Sequence, residues 1–421
     1  MENLSPHVSM VNRLISQGVE MGIGQLKVQD HSTNGRTINV NGKNLLYFGN
    51  CSYLGLELDP RIKAAGIDAL QRYGTQFACS RTYAGLTLYD ELEYLLEQIF
   101  NKPTLVAPTT TLGHISNIST LVNVDDAIIL DHQVHTSVSF AVQIVKANGT
   151  YVEVMRHNNM EMLESRIKKL SEKYKRVWYM SDGIYSMYGD IAPLKQMHEL
   201  MDKYEQLWCY IDDAHGMSWD GKNGMGYTLN QLPYFHERLL LSVSLVKGFG
   251  VHGGALIYPN QAMKEVVRNC GATLMFASPM PPSILGSNIA SAKIHLSDEI
   301  YDLQSELKDK MAYYLMTAKG LGLTLASEEL TPIFFTILGS AEKGYEISMK
   351  MKESGFVLNM ASYPAVPYKS TGLRSIVTNH HTKEDIYEML TTLSYHINNS
   401  EQIVRIPNQD KQKVFQASAT N

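Results

Sequence analysis

One lysine stands where a buried-strand pattern ends and a glycine-rich turn begins. Residues 239–254 read LLLSVSLVKGFGVHGG, so Lys247 closes an apolar run and is followed by glycines. A lysine is almost never fully buried unless it is paired. An ammonium group held at the end of a buried strand loses hydration, which lowers its pKa and suits it to forming a Schiff base with a carbonyl compound. Lys247 is therefore the first predicted catalytic residue.

Four more strand-like runs end in residues that bind anions or exchange protons. The apolar runs 104–108, 127–130, 177–180 and 208–211 are followed by TTTLGH, DHQVHTS, SDGIYSMYGD and DDAHG. Ligands of open parallel sheets bind beyond the carboxyl ends of the strands. We therefore expect these exits and that of the Lys247 strand to form one site.

The cofactor that fits these residue types is pyridoxal phosphate (PLP). It needs a lysine for its aldehyde and an acid that keeps its pyridine nitrogen protonated, so that the ring accepts electrons. Asp212, at the end of WCYI, is predicted to face the ring nitrogen. His215 is predicted to bind the ring hydroxyl, and His135 is predicted to stack on the ring face.

The phosphate of such a cofactor needs an anion site. Thr110 and Thr111 open a predicted helix, TLGHISNISTLV, and the free N–H groups at a helix start bind phosphate. Ser244, on the Lys247 strand, is predicted to reach the same phosphate.

Two other interpretations of the sequence, a metal site and a dinucleotide site, are weaker. His132 and His135 have no third ligand at metal spacing, so no metal is predicted. GFGVHG matches GxGxxG but precedes a strand-like run, which argues against a dinucleotide site.

Composition excludes several classes of partner. The formal net charge of the 421 residues is −5, with lysines and arginines scattered among acids, so neither nucleic acid nor an anionic membrane surface is predicted. No apolar run reaches the length of a membrane span. The four cysteines are far apart and form no CxxC motif. This pattern predicts a reduced, cytoplasmic protein.

The order of the segments predicts the fold class. Short apolar runs alternate with amphipathic helices, which is typical of an α/β protein with a mostly parallel sheet and helices on both faces. We predict an N-terminal arm (1–50), a large cofactor-binding domain (51–290), a smaller α+β C-terminal domain (291–405) and a polar tail (406–421). Residues 289–322 are predicted to form one long helix.

Several of these segments together resemble the α-oxoamine synthases. They are DDAHGMSWDGKNGMG, SDGIYSMYGDIAPL, YLGL and SVSLVKGFGVHGG, and the similarity runs from about residue 45 to 395. The resemblance implies PLP-dependent transferase fold type I and a homodimer with shared active sites. It also implies a decarboxylative condensation of an α-amino acid with an acyl thioester, carried by CoA or by an acyl carrier protein, that gives an α-amino ketone.

The resemblance also implies roles for residues that spacing alone does not single out. Asp182 and Ser186 fall in the segment that lies near the cofactor ring. Arg374, in GLRSIVTNHH, matches the arginine that binds the substrate carboxylate. Ser278, in MFASPMPP, matches a residue that reaches the phosphate of the neighbouring subunit. Ser244 stands where the family has a phosphate-binding threonine.

The chain departs from the family pattern mainly at positions that face the substrate. Cys51 replaces an asparagine that contacts substrate, with Asn50 shifted by one residue, and both are predicted to bind substrate. Val246 replaces the usual serine before the lysine, and His114 stands where asparagine is common. The stretch AGLTLYDELE is one residue short and lacks the family's histidine.

These departures leave the substrates and two alternative functions open. The first alternative is an aminotransferase or aldol-type lyase of the same fold, which would need no acyl donor. The second is a non-catalytic subunit, against which the presence of Lys247 argues.

Overall fold

The computed structural model describes residues 5–400, so the predicted polar tail and residues 401–405 lie outside the described residues. The strands are β1 (Thr37–Val40), β2 (Lys43–Tyr47), β3 (Thr104–Ala107), β4 (Asp126–Asp131), β5 (Tyr151–Met155), β6 (Arg176–Asp182), β7 (Leu207–Asp212), β8 (Leu239–Ser244), β9 (Gly254–Ile257), β10 (Ile333–Gly339), β11 (Phe356–Val357), β12 (Asn359–Ala361) and β13 (Thr371–Ile376). The helices are α1 (Pro6–Glu20), α2 (Pro60–Tyr73), α3 (Leu88–Phe100), α4 (Thr110–Leu121), α5 (Thr136–Ala147), α6 (Met160–Ser171), α7 (Leu194–Lys203), α8 (Tyr227–Gln231), α9 (Gln261–Cys270), α10 (Ala272–Phe276), α11 (Pro282–His295), α12 (Glu299–Gly320), α13 (Ala341–Glu353) and α14 (Lys383–Asn398).

A seven-stranded sheet lies at the centre of the chain, in the order β3-β9-β8-β7-β6-β4-β5. All neighbours from β8 to β5 are parallel, whereas β9 is antiparallel to both β3 and β8. The parallel strands therefore end at one edge of the sheet, and the loops that follow them converge there.

Both faces of this sheet are buried, which confirms the predicted α/β class. Successive residues of β4 enter different cores: Ile129 packs in one hydrophobic cluster and Ile128 in another. Since side chains alternate between the faces of a strand, apolar residues must occupy both sets of positions. This is why the central strands read as continuous apolar runs rather than as an alternating pattern.

Strand β5 is not recognised in the sequence, because it lies at an edge of the large sheet. It pairs with β4, and its residues YVEVM include the charged Glu153 and the exposed Val154. An edge strand is covered less completely and so shows a weaker apolar signal.

The predicted long helix over 289–322 is wrong, because two helices occupy this stretch. Helix α11 ends at His295, and the N–H of Leu296 bonds back to the carbonyls of Ala292 and Ile294. The Ser297 hydroxyl donates to the Ile294 carbonyl at 2.7 Å, so the last turn of α11 is closed by local partners. Residue 290, the predicted domain boundary, falls inside α11, and the division into domains stays a prediction.

The C-terminal part forms a second, smaller sheet in the order β10-β13-β12, with antiparallel pairing. The hairpin of β1 and β2 forms a third sheet with β11, to which β2 pairs in parallel. The Ile376 N–H donates to the Phe48 carbonyl at 2.8 Å, and the Asn379 N–H donates to the Tyr53 carbonyl at 2.9 Å. These bonds hold the segment after β2 against the end of β13. Within residues 5–400, no helix is long and apolar enough to span a membrane.

Candidate functional site

A cavity of about 270 Å³ opens at the carboxyl edge of the large sheet. Five strand exits contribute to its walls, as the sequence predicts. It is lined by Thr109, Thr110, Thr111, His135, Ser137, Asp182, Asp212, Ala214, His215, Ser244, Val246, Lys247 and His252. The cavity thus brings together residues that are more than a hundred positions apart in the chain.

Lys247 lies on the cavity wall, three residues beyond the end of β8. Its position is fixed by the following turn, in which the Gly250 N–H donates to the Lys247 carbonyl at 3.0 Å and the Leu245 N–H donates to the Gly253 carbonyl at 2.9 Å. Burial lowers the pKa of Lys247, an effect that the charge of Asp212 partly offsets. No hydrogen bond or ion pair holds its ammonium group among the described residues. A lysine in this state is suited to covalent catalysis.

Asp212 is buried at the end of β7 and is held ionised by its neighbours. Its Oδ2 lies 3.0 Å from His114 Nε2, and its Oδ1 accepts the Ala214 N–H at 3.0 Å. Burial alone would raise the pKa of Asp212, but the charge and hydrogen bond of His114, together with the charge of Lys247, lower it to about 2. A permanent carboxylate at this depth can hold a proton on a ring nitrogen.

Asp182 and His135 form a second part of the cavity wall. Asp182 lies directly opposite Asp212 in the register of β6 and β7, and its Oδ1 accepts the backbone N–H of His135 at 2.9 Å. Burial and the charge of Asp212 raise the pKa of Asp182. The His135 ring lies at the start of α5, with Nδ1 2.6 Å from the Ser137 hydroxyl. Asp182 therefore orients the backbone of His135, and Ser137 orients its ring.

His215 has a partner that the sequence analysis does not identify. Its Nδ1 lies 2.6 Å from the hydroxyl of Tyr53, and both side chains are buried. The pKa of His215 is lowered well below its ordinary value, first by burial and then by the charges of Lys247 and Arg374. The ring is therefore neutral and has one nitrogen free to face the cavity.

The N-terminus of α4 supplies the anion site. The Thr109 hydroxyl accepts the Leu112 N–H at 3.1 Å, and the N–H groups of Thr110 and Thr111 lie in the first turn, where no helical carbonyl precedes them. Ser244 pairs with Gly254 in the sheet. A Cβ at Gly254 would lie 2.7 Å from the Cα of Thr110, so this glycine lets the helix start approach β9 closely.

These residues fit PLP by the chemistry of the donor set. The cavity offers an amine without a partner, an ionised carboxylate, a neutral imidazole and a helix N-terminus with free N–H groups. They match the aldehyde, the ring nitrogen, the ring hydroxyl and the phosphate of this cofactor.

Five predicted site residues lie outside the cavity lining. They are Asn50, Cys51, Ser186, Ser278 and Arg374. Arg374 comes close from β13: its Nε donates to the Ser186 carbonyl at 2.7 Å, and its Nη2 lies 3.9 Å from Cys51 Sγ. Asn50 accepts the Ser52 N–H at 3.1 Å with its side-chain oxygen. Ser278 is exposed.

A histidine outside the cavity connects the end of β4, which precedes the loop with His135, to the loop after β6, which follows Asp182. The Nδ1 of His157 lies 2.8 Å from Asp131 Oδ1, at the end of β4, and its Nε2 lies 2.6 Å from Asp190 Oδ2, in the loop after β6. Burial would lower the pKa of His157, but its bonds to the two carboxylates raise it to about 9. The imidazolium thus links the end of β4 to the loop after β6.

This bridge predicts a pH dependence of stability. The folded pKa of His157, about 9, lies above the ordinary 6.5, so its contribution is complete below about pH 6.5 and is lost as the pH rises through about 9. Between pH 6 and pH 9.5 we expect the cofactor-free wild type to lose about 2 kcal/mol more unfolding free energy than His157→Gln, because solvent screening of this partly exposed ring reduces the full linkage of about 3 kcal/mol. Urea unfolding at both pH values measures this, and equal losses in the two proteins would contradict it.

Comparisons with known proteins agree with the site. The model of the family "aminotransferase class I and II" matches residues 45–393. The 8-amino-7-oxononanoate synthase of Thermoanaerobacter pseudethanolicus is 31% identical over 369 residues, which are 86% of this chain and 90% of that protein. The enzyme of the same name from Alkaliphilus metalliredigens is 32% identical over 352 residues, 83% of this chain and 87% of that protein. The chain belongs to the α-oxoamine synthase family.

Solved structures share the fold of this α-oxoamine synthase. Serine palmitoyltransferase from S. paucimobilis superposes with a TM-score of 0.86 at 23% identity, covering 94% of this chain and 98% of that one. The 8-amino-7-oxononanoate synthase of Francisella tularensis gives 0.71 at 20% identity, covering 84% and 98%. The family is PLP-dependent, so the predicted family, fold type and cofactor are confirmed.

The polar residues of this α-oxoamine synthase site that the sequence-based assignments omit include His114, Tyr53 and Ser137, together with Thr109 and His252 of the cavity lining. His114 appears in the sequence only as a departure from the family pattern, one turn into the helix that begins with the threonines. Tyr53 stands in YLGL and Ser137 in HTS, segments that are too short to show a periodic signal.

Proposed function

We propose that this PLP-dependent acyltransferase condenses an α-amino acid with an acyl thioester, releases carbon dioxide and yields an α-amino ketone. The observation that carries the proposal is the Lys247 ammonium group, which has no partner among the described residues and shares a cavity with the ionised Asp212. Family membership with the 8-amino-7-oxononanoate synthases supports the condensation over other chemistry of this fold.

The cofactor would supply an aldehyde that binds amines and a ring that accepts the electron pair left by proton loss. Lys247 would hold the aldehyde and, as a free amine, would accept the α-proton of the substrate. Its lowered pKa suits proton transfer near neutral pH. Asp212 would hold a proton on the ring nitrogen, and His215 would donate to the ring oxygen. His135 would contact the ring.

The phosphate is assigned to Thr110, Thr111 and Ser244. Their backbone N–H and hydroxyl groups surround the start of α4, where the helix dipole favours an anion. Asp182 supports His135 through its backbone, and Ser186 supports Arg374 through its carbonyl. Asn50 and Cys51 are assigned to the substrate side of the cavity, because the Cys51 sulfur lies beside Arg374.

Arg374 is assigned to the substrate carboxylate. Its Nε is already bonded to Ser186, which leaves the outer N–H groups of the guanidinium for a bidentate pair. Arg374→Lys keeps the charge but loses this geometry, so we expect the KM for the amino acid to rise about tenfold to a hundredfold with a smaller change in kcat. Arg268→Lys, at an exposed position of α9, serves as the control. An unchanged KM in Arg374→Lys would remove Arg374 from substrate binding.

The proposal is tested by the visible spectrum of purified protein reconstituted with PLP. Glycine, alanine and serine are added singly, and acyl-CoA thioesters are then added with detection of free thiol and carbon dioxide. We expect a yellow band that one amino acid shifts, followed by thiol release that depends on both substrates. Formation of a keto acid or aldehyde without thioester consumption would favour the aminotransferase or lyase. A protein that stays colourless with PLP would favour a non-catalytic subunit.

We also propose that the enzyme is a homodimer in which Ser278 reaches the phosphate of the neighbouring subunit. Support comes from two aromatic side chains near Ser278, since Tyr83 is 88% and Phe276 83% exposed. The Ser80 hydroxyl donates to the Met275 carbonyl at 2.8 Å, which joins their segments. Light scattering should give twice the chain mass of 47.3 kDa, and a monomer at micromolar concentration would contradict this.

The cellular setting and the acyl carrier are further parts of the proposal. We assign the enzyme to the cytoplasm, which the four unpaired cysteines support. Fractionation of cells expressing a tagged chain tests this, and recovery outside the cytoplasm would contradict it. Either CoA or an acyl carrier protein delivers the acyl group, and thiol release from each, compared in parallel, decides between them.

A further inference from the structure

A chain of buried polar groups extends from Asp212 into the protein, on the side away from the cavity. His114, on α4, lies with Nε2 3.0 Å from Asp212 Oδ2 and Nδ1 2.7 Å from the Tyr210 hydroxyl. Behind them the Tyr258 hydroxyl donates to Asn117 Oδ1 at 2.6 Å. His114, Tyr210, Tyr258 and Asn117 are each at most 1% exposed. His114 is therefore the group that joins Asp212 to the protein interior.

The partners of His114 determine which of its nitrogens carries a proton. Asp212 is ionised and can only accept, so Nε2 must carry hydrogen and donate to it. The other nitrogen of His114, Nδ1, lies 2.7 Å from the Tyr210 hydroxyl, so the ring is held between Asp212 and Tyr210.

We propose that His114 is a positioning residue, which acts through Asp212 to keep the cofactor's ring nitrogen protonated. The inference rests on the proposed function. Without His114 the buried carboxylate keeps only the Ala214 N–H as a hydrogen-bond donor and takes up a proton more readily, and the nearest source is the ring nitrogen that it faces. The transfer would leave both groups neutral and the ring a weaker electron acceptor. The low pKa of Asp212, despite its burial, agrees with this role of His114.

The charged and titratable groups around Asp212 come from four elements. His114 faces it from α4, Lys247 from the turn after β8, His135 from the start of α5, and Asp182 from β6. His114 is the one of these that hydrogen-bonds to the Asp212 side chain. A change at His114 should therefore alter Asp212 most directly, although its charge also lowers the pKa of His135.

The test is a pH titration of the visible band of the PLP-loaded protein without amino acid or thioester. A protonated ring nitrogen withdraws electrons from the lysine–cofactor linkage and lowers its proton affinity. We therefore expect His114→Leu to raise the midpoint by about one pH unit, a tenfold change in the proton equilibrium. His114→Gln, which can still donate to Asp212, should stay within a few tenths of the wild type. α-Proton exchange of the amino acid should fall about tenfold in His114→Leu alone.

Two results of this pH titration would contradict the proposed role of His114. Equal midpoints in wild type and His114→Leu would overturn it, as would a shift in His114→Gln as large as that in His114→Leu. If circular dichroism shows that His114→Leu does not fold, His114→Asn is measured instead. The asparagine side chain is one methylene shorter than that of glutamine, so its amide reaches less far toward Asp212. Equal midpoints for asparagine and glutamine would then overturn it. Wild-type protein that binds PLP but condenses nothing defeats only the proposed function, whereas protein that binds no PLP defeats both.

Discussion

Lys247→Ala is expected to lose the covalent attachment of PLP. Borohydride reduction followed by mass spectrometry should find one reduced phosphopyridoxyl group on each wild-type chain and none on the variant. Because Lys247 is assigned both the covalent bond and the α-proton, exchange of that proton in heavy water should fall by roughly 10⁴-fold or more. NMR of the amino acid measures the exchange.

A matched control separates this effect from the loss of a positive charge. Lys146→Ala removes a lysine from an exposed position in the last turn of α5, and it should keep both PLP attachment and the exchange rate. If Lys247→Ala still gains the reduced cofactor, another amine holds it, and the assignment of Lys247 is wrong.

Asp212→Asn has the second largest expected effect. The amide has nearly the shape of the carboxylate but carries no charge, so it cannot hold a proton on the ring nitrogen. We expect α-proton exchange to fall by about 10³-fold, in the range found when a preorganised electrostatic group is removed. PLP attachment by Lys247 should survive, since Lys247 does not need Asp212 in order to bind the aldehyde.

The exposed Asp125 provides the control, because Asp125→Asn changes the same charge far from the cavity. Its exchange rate should equal that of the wild type. An exchange rate in Asp212→Asn within threefold of the wild type would mean that the ring nitrogen is not paired with Asp212.

The sequence predicts the core of the fold because buried strands need apolar residues on both faces. Six of the seven central strands coincide with apolar runs that can be recognised in the sequence. Strand β5 does not, because it lies at the edge and contains Glu153. The break between α11 and α12 cannot be predicted from the sequence either, because α11 ends through hydrogen bonds that Leu296 and Ser297 donate to backbone carbonyls. Such closure uses ordinary residues with no helix-breaking signal.

The sequence likewise predicts residues at strand ends better than residues that approach from elsewhere. Lys247 lies just beyond a strand and Asp212 ends one, and the order of the strands brings them together. Tyr53 reaches His215 from a segment before the sheet begins, and this contact depends on how the smaller sheet packs. Single positions of this kind carry no periodic pattern, so only the folded chain reveals them.

The antiparallel strand β9 has a consequence for synthesis on the ribosome. Strand β3 is the first strand of the large sheet to be made, yet its neighbour in that sheet is β9, which ends at Ile257. A nascent chain that stops before residue 254 therefore leaves β3 without a hydrogen-bonding partner, and the start of α4 has no Gly254 to pack against. Cofactor capture must wait until about 150 residues after β3 have emerged, so PLP binding reports completion of the whole sheet.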